Sequence, residues 1–448
     1  MFKKNKIITP GSLVHQRNWA ELTRRQMLAK SASFTSYLGL SSLFGSRDSL
    51  SQSSLTVQRR LVWISMNGGW DILETTDPKR SSTSGIDMSY DFGLAHSLNG
   101  SDERIGRWMT NLARDNADEL VVVRGLAMGT TSHAAGTLYM DTGILSNSAE
   151  VNVASIPAIV AANSADTIPI IVLNGATDVL TDKGIESVSV VRANNLELYQ
   201  SLYPSSSAEL SQKLLILDHL RASAESAETL LGVSDRYTDI QAAEAKVRAQ
   251  FEGDVGSKLS LTNEDIQPFL SGAPTNMNSG QRDNFALALK LLKNNLTTCI
   301  NMGVGGFDTH SNQEQRLQPT LESFDFLLNT FVNELKLSGN LDNTLIVCFS
   351  DFGRTPKING NNGRDHWPVG GAMLLGGRID GGRFVGATDD DLRALNVSKA
   401  TGLVDAAGEQ LNPTHLGGSV LDLCLGSSSL DSRPYLESVP ALVQLRSS

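Results

Sequence analysis

Carboxylates and imidazoles recur in this sequence where apolar runs end. Leu345 to Phe349 is such a run, and Ser350-Asp351-Phe352-Gly353-Arg354 follows it directly. A Gly/Asn-rich loop then leads to Gly363-Arg364-Asp365-His366-Trp367. Arg60 to Met66 runs into Asn67-Gly68-Gly69-Trp70-Asp71, and Glu119 to Leu126 into Gly129-Thr130-Thr131-Ser132-His133. Leu296 to Val304 is followed by Gly305-Gly306-Phe307-Asp308-Thr309-His310. A carboxylate at the end of a buried strand is costly unless something pairs with it. Asp308 and His310 are two apart, so extended backbone points both to one side. Gathered in one place, Asp71, Asp308, His310, Asp351 and His366, with His133, would repel unless a cation neutralised them. Oxygen and imidazole donors suit Zn, Mn, Fe, Mg or Ca, and imidazole favours the transition metals. Two ions roughly 3.5–4 Å apart are one arrangement used for phosphate chemistry. The expected cofactor is therefore one or two divalent metal ions. Plainer roles exist for some members: Asp71 as a turn cap, His133 as a packing or hydrogen-bonding residue, Arg354 as a salt-bridge partner.

What must position them is a parallel sheet. Runs at 60–66, 119–126, 167–173, 296–304 and 345–349 read as strands, with a fourth-strand candidate at 187–191 and another run at 372–375. Helical spacing lies between them, from His133 through Thr142-Gly143, at 283–294, at 314–337 with Gly339 as its cap, and at 412–425. Alternating strands and helices imply α/β architecture, and ligands in such sheets bind beyond the strand carboxyl ends. A Ser or Thr before His133 would cap its helix, whose N-terminus favours an anion. Ala/Glu/Arg-rich sequence predicts a helical insert at about 207–253, while Gly376-Gly377 and Gly381-Gly382 mark a hairpin or turn near the sheet edge. His15, His96, His219 and His415 receive no site role.

Composition narrows the class. The 448 residues are 40% hydrophobic and 19% charged, fitting a soluble protein with a large core. The formal charge is -10, and residues 1–46 hold seven Lys/Arg against one Glu. The remaining body is thus strongly acidic, which excludes a non-specific nucleic-acid binder. Cys299, Cys348 and Cys424 each sit in an apolar run and read as buried free thiols. Thr23-Arg24-Arg25-Gln26-Met27-Leu28-Ala29-Lys30 precedes a mild apolar run to Phe44. That pattern predicts a twin-arginine-type signal segment over 1–46, hence export to the periplasm or cell envelope by the twin-arginine translocation machinery. The run is too short for a stable transmembrane span, which needs about 20 apolar residues. Residues 47–57 read as a linker, and 58–448 as the folded domain.

Gly69-Trp70-Asp71, Ser132-His133 with Thr142-Gly143, Phe307-Asp308-Thr309-His310, Ser350-Asp351-Phe352-Gly353-Arg354-Thr355-Pro356 and Gly363-Arg364-Asp365-His366-Trp367 together resemble the "domain of unknown function 1501" family. Its members are typically exported through the twin-arginine route. The family is similar to the alkaline phosphatase and sulfatase superfamily, so the resemblance implies a large mixed, mainly parallel sheet sandwiched by helices. It also implies a metal role for Asp71, the Asp308/His310 pair, Asp351 and His366, and a nucleophile in the Thr131-Ser132-His133 turn. Two departures stand out. Phe352 occupies the place of a His in alkaline phosphatases, and the turn has no Cys to become the formylglycine of sulfatases.

Two functions follow. The first is an exported metal-dependent hydrolase of phosphate or sulfate esters. Its substrate would be a small anionic ester, with Ser132 or Thr131 attacking and Arg354 gripping the ester oxygens; Arg364 is a second, weaker candidate. The other is a catalytically degenerate binding or assembly protein of the same fold.

Overall fold

The computed structural model describes residues 56–446, apart from 81–84, 147–151, 167, 183–184, 186–187, 189, 194–202, 232–240, 242–243 and 246. The predicted signal segment at 1–46 and most of the linker at 47–57 lie outside the described residues.

Eight strands form the main sheet: β1 (Arg60–Met66), β2 (Leu120–Ala127), β3 (Ile168–Val172), β4 (Val190–Arg192), β5 (Thr297–Val304), β6 (Thr344–Phe349), β7 (Val369–Gly376) and β8 (Arg383–Val385). Their order is β8-β2-β7-β6-β1-β5-β3-β4. β1 lies at the centre, parallel to β5 on one side and β6 on the other. Only β7 runs against its neighbours, pairing antiparallel with both β6 and β2. The sheet is therefore mixed and mainly parallel.

Strand alternation divides the core. Val62, Ile64 and Met66 of β1 face one layer, and Leu61 and Trp63 face the other. Of the longer helices among the described residues, α1 (His133–Thr142), α2 (Ile156–Ala162), α3 (Ser207–Leu231) and α4 (Ser279–Lys293) come first in the chain. α5 (Gln313–Leu337) and α6 (Pro413–Leu425) follow. Side chains of α4 and α5 fill the first layer, and those of α1, α2 and α6 the second. The helical insert is present as α3, and Leu217, Val247 and Phe251 bury against the α4/α5 layer. The three cysteines are buried and free.

Several expectations shift. The 187–191 candidate becomes the short edge strand β4 at 190–192. Of the hairpin or turn expected at the glycine pairs after β7, the structure has the turn, with Ile379 N–H on the Gly376 carbonyl, and β8 then pairs in parallel with β2 at the sheet edge. No helix among the described residues is long and apolar enough to cross a membrane.

Candidate metal centre

The carboxyl ends of β1, β2, β5 and β6 lie along one edge of the sheet, because these strands all run the same way. The turns after β2 and β5 and the loop after β6 carry polar side chains back over that edge. His133 is the first residue of α1. The helix seats closely because Gly136 faces the turn after β6, where a Cβ would come within 2.1 Å of the Asp351 carbonyl oxygen. Gly363 performs the same service for the other wall, since a Cβ there would meet the His310 backbone at 2.1 Å.

Three imidazoles converge on one carboxylate oxygen. Asp308 Oδ1 stands 3.1 Å from His310 Nε2, 3.6 Å from His366 Nε2 and 3.9 Å from His133 Nε2. His310 and His366 are themselves 2.9 Å apart, Nε2 to Nε2. Ligand atoms of His133, Asp308 and His366 all lie within 4.8 Å of one another.

The far nitrogen of each ring is already held. His133 Nδ1 donates to Asp351 Oδ2 at 2.5 Å, His310 Nδ1 to Asp365 Oδ1 at 2.9 Å, and His366 Nδ1 to the Thr131 carbonyl at 2.8 Å. These partners are acceptors only, so Nδ1 carries the proton in each ring. In neutral imidazole, Nε2 is then left as a lone pair facing the centre. Metal-binding histidines are fixed by the same kind of outer bond. One positive charge is already present, since Arg354 Nη2 donates to Asp308 Oδ1 and Arg354 Nη1 lies 3.4 Å from His310 Nε2. The donor set of His133, Asp308 and His366 fits a divalent transition metal, and these are the residues that would hold it, with His310 beside them against His366 and Arg354.

Asp308 is also gripped from behind. Arg354, fully buried, donates from Nη2 to Asp308 Oδ1 at 2.6 Å and to the Gly68 carbonyl. Its Nε reaches the Gly69 carbonyl at 2.8 Å, and its Nη1 the Arg364 carbonyl at 3.0 Å. Burial raises the Asp308 pKa, but the Arg354 hydrogen bond and the nearby positive charge outweigh it and hold the carboxyl below its ordinary value. Asp365 is also lowered, first by its bond from His310 and then by one from Asn359.

The sequence-selected residues thus fall into three groups. His133, Asp308, His310 and His366 meet. Asp351 reaches the group indirectly: its Oδ1 accepts from Gly69 N–H at 2.7 Å and Ser350 Oγ at 2.9 Å, and its Oδ2 orients His133. Asp71 is turned away. Its Oδ1 accepts from Leu73 N–H, while its Oδ2 accepts from Gln313 at 2.5 Å and lies 3.0 Å from Arg364 Nε. That last contact is an ion pair without hydrogen-bond alignment. The shared rim expected for Asp71 is therefore replaced by a buried pair, because Arg364 supplies the neutralising charge. Arg354 is directed to Asp308 and to carbonyls, not outward to an ester.

Ser132 occupies the N-cap of α1 and makes no side-chain capping bond. Its hydroxyl is exposed beside His133, and exposed Thr131 shares the turn. Phe352 closes one side, its ring 4.7 Å from that of His133 and 4.4 Å from that of His366. Sequence reasoning passed over Asp365 and Gln313. Asp365 adjoins His366, which was a usable signal, but its partner His310 lies far away in the chain.

The family model described as "Protein of unknown function (DUF1501)" matches residues 58–401. No curated protein matches the chain. Among solved structures, the PsFucS1 sulfatase from Pseudoalteromonas sp. is 10% identical, with 95% of this chain and 77% of that one covered and a TM-score of 0.38. The alkaline phosphatase from the Antarctic bacterium TAB5 is 14% identical, covering 74% and 95%, with a TM-score of 0.32. The soluble domain of lipooligosaccharide phosphoethanolamine transferase A from Neisseria meningitidis is 13% identical, covering 83% and 89%, with a TM-score of 0.35.

Proposed function

This chain belongs to the DUF1501 family, and we propose that it is an exported, metal-dependent hydrolase of phosphate or sulfate esters. The observation that carries this reading is the convergence of three tethered imidazoles on Asp308 Oδ1. A bound divalent ion would supply Lewis acidity toward an ester oxygen. The protein's own groups supply the rest. The start of α1 offers its positive dipole end to the anion. Ser132 Oγ is the nucleophile, with Thr131 next to it. Its attack forms a bond to phosphorus or sulfur as the bond to the leaving oxygen breaks. The serine proton departs with the alcohol, and water then releases the inorganic anion and restores the hydroxyl. Arg354 fixes Asp308, and Phe352 screens one side of the site from water. The twin-arginine-type segment would bring the folded protein to the periplasm or cell envelope.

Metal analysis of purified protein, with hydrolysis of 4-nitrophenyl phosphate and sulfate, tests the reading. Bound transition metal and turnover abolished in Ser132→Ala are expected. A protein with no metal and no turnover would instead be the exported binding or assembly component of the alternative reading. The spent donors of Arg354 favour that second reading, since they leave it no free fork for an ester.

A further inference from the structure

Several groups that a two-ion centre would draw on are already committed. Both Asp71 oxygens are occupied, by Leu73 N–H on one side and by Gln313 and Arg364 on the other. Both Asp351 oxygens are taken, by Gly69, Ser350 and His133. Phe352, fully buried, packs a ring with no lone pair against His133 and His366. Arg354 meanwhile places a fixed positive charge on the same Asp308 oxygen that the imidazoles face.

We infer that the centre is built for one divalent ion per chain and for an ester bearing a single negative charge, either a sulfate monoester or a phosphate diester. This deepens the hydrolase reading above and rests on it. One divalent ion and Arg354 bring three positive charges to the centre, and Asp308, Asp351 and Asp365 bring three negative ones. Asp71 and Arg364 cancel in their own buried pair, and Glu74 beside them is answered by Arg107. The centre as a whole is then neutral. A single ester charge is met by direct contact with the ion and by the end of α1, worth roughly half a positive charge. Among the described residues, both arginines buried at the centre are paired with carboxylates, so the second charge of a phosphate monoester would have only surface cations such as Lys357 to meet. Arg354 and Arg364 are both buried and engaged, and the exposed residues flanking the donors in the chain, Thr131, Ser132, Ala134, Gly305, Gly306 and Asp365, include no cation.

Wild-type protein suffices for the test. Metal per chain is measured by mass spectrometry. Phenylsulfonate and phenylphosphonate are then titrated calorimetrically against the metal-loaded protein at about pH 8.5, where only the phosphonate carries two charges. One ion per chain and phenylsulfonate bound at least tenfold more tightly are expected. Two ions per chain, or tighter phenylphosphonate, would overturn the inference and leave the hydrolase reading standing. No metal at all would remove both. Turnover separates the sources: 4-nitrophenyl sulfate or bis(4-nitrophenyl) phosphate as the best substrate supports the inference, and 4-nitrophenyl phosphate as the best overturns it.

Discussion

His310 and His366 meet Nε2 to Nε2 at 2.9 Å, while a carboxylate and a carbonyl hold the opposite nitrogen of each ring. Two lone pairs at that distance need a proton or a cation between them. If a cation is the answer, His366→Ala should lower affinity for a transition metal at least tenfold in calorimetric titration. The Tm of the metal-free protein should hardly change, because His366 is partly exposed. Unchanged affinity would remove His366 from the donor set.

Asp365 and Asp351 act on the imidazoles from different depths. The Asp365 side chain is 58% exposed, so Asp365→Asn should reduce metal affinity by about 10- to 100-fold with little loss of stability. Asp351 is buried and also accepts from Gly69 and Ser350. Asp351→Asn should therefore weaken both metal binding and folding, as read by calorimetry and thermal unfolding. Equal stability losses in the two variants would contradict the depth difference.

Asp71→Asn distinguishes a ligand from a structural acid. It strips Arg364 of its carboxylate inside the protein, and breaking a buried pair costs about 3–5 kcal/mol. Denaturant unfolding should show a loss of that order, with metal content per folded chain unchanged. Lost metal without lost stability would return Asp71 to the centre.

Arg354→Lys should behave nearly as badly as Arg354→Ala. The planar fork serves three carbonyls and Asp308 together, and an ammonium cannot reproduce that geometry. Both variants are expected to lose about 3 kcal/mol or more in denaturant unfolding.

Asp141 lies fully buried against Trp63, whose Nε1 donates to it at 2.8 Å, and burial pushes its carboxyl up to about 7. A carboxyl raised on folding holds its proton in the native state after the unfolded chain has released it. Stability from this group is then greatest below about pH 4, falls as pH rises to about 7, and is flat above. Asp141→Asn should flatten the slope of Tm between about pH 5 and pH 7. An unaltered slope would assign the linkage elsewhere, with Glu74, also raised to about 7 by burial, next in line.

Much of this was legible in the chain because buried parallel strands announce themselves as apolar runs. Direction then does the rest: Asp308, His310, Asp351 and His133 follow strands that all run the same way. What spacing cannot show is which way a side chain leaves a turn. Asp71 follows β1 as faithfully as Asp308 follows β5, yet it points to Arg364, a partner nearly three hundred residues away in sequence. Nor can spacing tell an acid that binds from one that aims an imidazole, which is why Asp351 reads as a ligand in one dimension and as a positioner in three.

Gly363 presses the loop after β6 against the backbone of His310, and the same loop delivers His366. An ion seated there would staple that loop to the turn following β5 and to the start of α1. Occupancy should then be readable with a protease. Lys357 is exposed on the loop, and chelation should make the bond after it a preferred tryptic cut well before the sheet beneath gives way.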